Sequence, residues 1–135
     1  MSDKTFLDTN ILIYCYSSSD LTKQSKAQSV ANQTNVLIST QVMKEFTNVL
    51  CKKFKLDWQA ISDALNELEK NFNVHTNTPT SIKKACKIAD RYGFSFFDSL
   101  IIAAALETDC VILYSEDMQD GQLIENKLTI KNPLI

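Results

Sequence analysis

The chain has 135 residues, 44% hydrophobic and 22% charged, with two glycines and two prolines. That length suits one domain with one core, residues 1–135, and that composition excludes disordered and fibrous architectures. A net charge of −2, a pI near 5.3 and a single arginine, Arg91, exclude a protein that grips nucleic acid by its overall positive field.

In chain order, KTFL (4–7) reads as a buried strand and ILIYCY as a short apolar helix. Residues 21–33 read as a mostly polar helix and NVLIS (35–39) as a second strand. A helix over 41–53 carries Val42, Phe46, Val49 and Leu50 on one side. Asp57 caps the next helix, where Trp58, Ile61, Leu65 and Leu68 recur at helical spacing. FNVHT (72–76) is a third short strand. Pro79 stands near the start of a helix carrying Ile82, Ala85, Cys86 and Ala89, which ends around Gly93. SFFDSLIIAAALE starts a very apolar, central helix. CVILYS (110–115) is the clearest strand, and LTIK (128–131) the last.

Strands alternate with helices, and the strands are apolar without strict alternation. That pattern predicts an α/β fold with a parallel sheet covered on both faces, three layers in all and about five strands. In such a sheet the strand carboxyl ends share one edge, and ligands bind there where strand order reverses. Asp8 directly follows the first strand, and Glu116 and Asp117 directly follow CVILYS. If those two strands are neighbours, Asp8 and Asp117 face one crevice.

The four cysteines, Cys15, Cys51, Cys86 and Cys110, stand 23 or more residues apart. With one histidine, His75, they offer no zinc spacing and read as four reduced cysteines in a cytosolic core. The apolar run LIIAAAL (100–106) is far too short to span a membrane, and the first apolar stretch is broken by Asp8 and Asn10. No membrane span or signal peptide is expected, and the expected location is the cytoplasm. Two lysine clusters, Lys52–Lys53–Lys55 and Lys83–Lys84–Lys87, read first as solvated helix faces.

Two further acids stand in apolar surroundings. Glu45 lies three residues after Val42 and four before Val49, within the apolar stripe of its helix. A carboxylate there needs a partner, the ordinary one being a lysine, because desolvating it alone costs several kcal/mol or shifts its pKa. Asp98 lies between aromatic and aliphatic neighbours, and with Ser95 it matches the [ST]-x-x-[DE] capping box. Asp8 has its own ordinary reading, an Asx-turn or N-cap with Asn10 as a local hydrogen bonder. SEDMQDG reads as a polar loop with Gly121 at a positive-φ turn position.

Taken together, LDTNILIY (7–14), ISTQVMKEF (38–46), FSFFDSLIIAAAL (94–106) and LYSEDMQDGQ (113–122) resemble the PIN-domain nucleases, and in particular the VapC-like toxins. The resemblance covers essentially the whole chain. It implies that Asp8, Glu45 and Asp98 form an acidic metal site. Asp117 takes the variable fourth place, with Asp120 and Glu116 as competitors. Asn10, Ser39, Thr40 and Ser115 become supporting polar groups, with Asn10 and Thr40 holding Asp8. The implied partners are an RNA substrate, a small antitoxin protein and a second copy of the chain.

A site of carboxylates alone selects a hard cation, Mg²⁺ or Mn²⁺. Close carboxylates also repel, so some should ionise only at raised pKa. The expected reaction is metal-dependent hydrolysis of a phosphodiester in single-stranded or looped RNA, leaving 5′-phosphate and 3′-hydroxyl ends. Two other readings compete. A haloacid dehalogenase-type phosphotransferase needs a second aspartate where this chain has Asn10, and an amide cannot transfer that proton. A non-catalytic PIN module that binds RNA or protein would share the fold without the reaction.

Overall fold

The computed structural model describes residues 3–135. Strand β1 (Thr5–Leu7) runs into helix α1 (Thr9–Tyr16), and α2 (Leu21–Ala31) leads back to β2 (Val36–Ser39). Helices α3 (Thr40–Lys52) and α4 (Trp58–Asn71) then connect to β3 (Asn73–His75). Helices α5 (Pro79–Tyr92) and α6 (Phe96–Glu107) precede β4 (Ile112–Tyr114), β5 (Leu123–Ile124) and β6 (Leu128–Lys131).

The six strands form one sheet in the order β3-β2-β1-β4-β6-β5. Every neighbouring pair is parallel except β5 with β6. Successive side chains of a strand point to opposite faces, yet Thr5, Phe6 and Leu7 are all buried, as are all four residues of β2. Both faces of the sheet centre are therefore covered, as the unbroken apolar strands predict. Phe6, Leu7, Ile38 and Leu113 have no exposed surface, and each contributes roughly 2–3 kcal/mol by burial. The expectation of about five strands missed β5, a two-residue antiparallel edge piece.

Strand order reverses between β1 and β4, which pair in the register Thr5–Ile112, Phe6–Leu113 and Leu7–Tyr114. The carboxyl ends of these two central strands thus lie side by side at the switch point. The Asp8 N–H donates to the Tyr114 carbonyl at 2.9 Å, so the ladder carries Asp8 to a place opposite Ser115. Helix α6 is buried along eight of its twelve residues and aims its first turn at this edge.

Two helix faces differ from the sequence reading. Trp58 starts α4 but is 69% exposed, while Ile61 and Leu68 carry that helix's contact with the core. On α5 the buried positions are Ser81, Ala85 and Ile88, and Ile82 and Cys86 face solvent. Small residues there let α5 lie close to α6, whose Leu100 and Ala103 pack on Ala85. Asp57 caps α4 through the Ala60 N–H, and Gly121 has φ +85°, both as expected. Among the described residues, no helix is long and apolar enough to cross a membrane.

Candidate metal centre

Asp8 ends β1 and caps α1, with extended backbone angles of φ −72° and ψ 158°. It is only 4% exposed. Its Oδ1 accepts from the Thr9 N–H at 2.7 Å, and its Oδ2 accepts from the Ser115 hydroxyl at 2.8 Å. Burial pushes the carboxyl up to about 7. The bonds from Ser115 and Thr9 pull it down in part, and the charges of Asp98 and Glu45 push it up again. Mutual repulsion among close carboxylates predicts raised pKa values. Here desolvation is the larger cause and repulsion the smaller.

Ser115 has no exposed surface, and its oxygen also accepts from the N–H groups of Asp117 and Met118, at 3.2 and 3.3 Å. One hydroxyl therefore ties Asp8 to the turn that presents Asp117. Asp117 is exposed and takes a short hydrogen bond from the Asn10 side-chain amide.

Glu45 is half-buried on α3, and no lysine pairs with it. Its Oε1 accepts from the Thr9 hydroxyl at 2.5 Å and its Oε2 from the Gln41 amide at 3.1 Å. Asp98 is the third residue of α6, and its N–H donates to the Ser95 Oγ at 3.2 Å. Burial holds the Asp98 carboxyl above the ordinary range; the Ser95 hydroxyl opposes this, and the charges of Asp117 and Glu45 add to it. The cap and the acidic cluster thus coexist at one residue.

Asp8 feels the charges of Asp98 and Glu45, and Asp98 feels those of Asp117 and Glu45. All four belong to one electrostatic neighbourhood, at the edge where strand order reverses. Among the described residues, however, no three His, Cys, Asp or Glu side chains already converge into a ligand set. Thr9 and Gln41 instead occupy the two oxygens of Glu45, and the Asn10 amide occupies Asp117. The donor chemistry fits a hard divalent cation, because it is all oxygen with one acid buried and two held above their usual pKa.

Several expected supports act elsewhere. Asn10 bonds Asp117 and not Asp8. The Thr40 hydroxyl donates to the Asn77 carbonyl oxygen at 3.0 Å, and Ser39 caps α3 through the Val42 N–H. Asp120 accepts from the Asn132 N–H at 2.7 Å. Glu116 takes the Tyr14 hydroxyl at 3.2 Å and lies 3.7 Å from the Lys23 ammonium. Thr9 and Gln41 escaped sequence reasoning; Thr9 had a signal, a hydroxyl residue between Asp8 and Asn10. A cavity of about 550 Å³ opens between α1, α2 and the end of α4, and none of the four acids lines it.

The family model described as the PIN domain matches residues 5–119, a span holding all four acids. This chain belongs to the PIN domain family. Its PIN fold is similar to that of VapC20 from Mycobacterium tuberculosis, described as a sarcin–ricin loop cleaving toxin. Identity is 20% over 84% of this chain and 90% of that one, with a TM-score of 0.69. A toxin–antitoxin complex from Klebsiella pneumoniae gives 20% identity over 96% and 98% of the two chains, with a TM-score of 0.72. DNA-bound VapBC from Salmonella typhimurium gives 15% over 98% and 99%, with a TM-score of 0.70. At such identities these structures share the PIN fold with this chain. Comparison with curated proteins gave no match.

Proposed function

We propose that this PIN domain is a Mg²⁺- or Mn²⁺-dependent endoribonuclease, the toxin of a toxin–antitoxin pair. The observation that carries the reading is Asp8, a buried carboxyl raised to about 7 at the switch point of a parallel sheet, within the field of Asp98 and Glu45. A buried acid held at that cost, with no lysine or arginine partner, is what a cation site requires.

Asp8, Asp98 and Asp117 would hold the ion, and Glu45 would join them or orient the attacking water. The bound cation would supply positive charge for the phosphate and activate that water. Ser115 fixes the Asp8 rotamer and links it to the Asp117 turn. Thr9 and Gln41 fix both oxygens of Glu45. The substrate would be RNA, cut to leave a 5′-phosphate and a 3′-hydroxyl. Structural similarity to chains solved as VapBC and toxin–antitoxin complexes supports an antitoxin partner.

A non-catalytic PIN module is the second reading, and one observation favours it: no three acids converge among the described residues. Incubation with RNA in Mn²⁺ separates the two. The enzyme reading expects cleavage that falls by orders of magnitude in Asp8→Asn while the circular dichroism spectrum is retained. Cleavage by Asp8→Asn at the parental rate would overturn it.

A further inference from the structure

Helix α6 opens with two phenylalanines that its burial pattern does not explain. From Ser99 to Leu106 every residue is buried, yet Phe96 is 38% and Phe97 57% exposed. Their rings meet edge to face, with centroids 5.4 Å apart and planes at 66°. Asp98 follows in the same helical turn, about 100° further round the axis than Phe97. Two solvated rings therefore stand beside one acid of the candidate centre.

Leaving this much aromatic surface in water forgoes burial that the rest of α6 exploits. Charge narrows what the rings could serve. The chain is net −2, and its one arginine is engaged with Glu125 at 2.8 Å. RNA approaching four carboxylates gains little here from a general positive field. Affinity for a strand must then come largely from contacts that do not depend on charge, and base stacking on an aromatic face is one. The apolar groove lined by Ile13, Tyr16, Phe46 and Leu50 is a separate surface, on α1 and α3.

We propose that Phe97 is a stacking platform for an unpaired base of the RNA next to the bond that is cut, with Phe96 bracing it edge-on. This rests on the nuclease reading and adds how a strand is seated at the site. Recognition is of a base's π-face, so it favours single-stranded or looped RNA and tolerates many sequences.

The test measures binding by fluorescence anisotropy on the full chain carrying Asp8→Asn, so that the RNA stays intact. Two labelled probes of equal length are compared, a single-stranded RNA and a tetrahydrofuran-abasic strand. Adding Phe97→Leu, which keeps bulk but loses the π-face, is expected to weaken RNA binding about 10-fold and leave the abasic strand's binding as it was. Phe97→Tyr is expected to stay within about 2-fold on both. Equal losses on the two strands, or no loss on RNA, would overturn the proposal. A halved sedimentation mass in Phe97→Leu would also overturn it, by making the rings an interface between copies. If the chain with Asp8 intact fails to cut RNA in Mn²⁺, the nuclease reading falls separately.

Discussion

Replacing Asp8 with asparagine should stabilise the metal-free protein at alkaline pH while abolishing its proposed activity. The Asp8 carboxyl ionises near 7 in the folded chain and near 3.9 in an unfolded one. The folded state therefore binds the extra proton between those values, and stability falls as pH rises through that window. Above pH 7 the charged carboxylate costs the fold about 4 kcal/mol, and near pH 5 only about 1–2 kcal/mol. Asparagine carries no such charge. It keeps one acceptor for the Thr9 N–H but leaves the Ser115 hydroxyl hydrogen without its carboxylate, at a cost of about 1–3 kcal/mol. That cost does not vary with pH, so the difference between pH 8 and pH 5 isolates the buried charge. The variant's stability relative to the parent should rise by about 2–3 kcal/mol between the two. Urea denaturation in EDTA, followed by far-ultraviolet circular dichroism because Trp58 is largely exposed in the fold, measures it. A relative stability independent of pH, or one that favours the parent at pH 8, would refute the reasoning.

Millimolar Mn²⁺ at about ten times its dissociation constant should add roughly 1.4 kcal/mol of stability. A thermal melt should show this as a rise of about 4–5 °C, absent in Asp8→Asn. Ser115→Ala removes a bond that favours the Asp8 carboxylate, so the acidic limb of the cleavage pH profile should move to higher pH. No movement of that limb would deny Ser115 its role. Asp117→Asn should lower RNA cleavage at least 10-fold, while Asp120→Asn, whose side chain serves the Asn132 N–H, should stay within about 2-fold. The reverse order would reassign the fourth acid.

The plan of the fold was legible because apolar strands and helix caps are local signals. KTFL and CVILYS are unbroken apolar runs, and both became central parallel strands. Asp57 and Gly121 announced a cap and a left-handed turn. Strand β5 gave no signal, since Leu123 and Ile124 are too few to show a period and Leu123 is exposed. On α5 apolar character predicts burial of Ile82 and Cys86, whereas the buried face instead carries the small residues Ser81 and Ala85.

Within the site, the acids and Ser115 were legible through the family resemblance, while Thr9 and Gln41, which hold Glu45, were not. Asp8 and Ser115 are 107 positions apart, and only the β1–β4 register puts them opposite each other. The Thr9–Glu45 bond depends on how α1 packs against α3, a relation that no local spacing encodes.

In the proposed centre, Asp8 and its neighbouring acids hold one divalent cation in common. Crystals grown with Mn²⁺ and measured at a wavelength where manganese scatters anomalously test it most directly. The account predicts an anomalous peak in direct bonding reach of Asp8, shared with Asp98, Asp117 or both. A peak elsewhere with Asp8 still bonded only to Thr9 and Ser115, or no peak at saturating Mn²⁺, would contradict it.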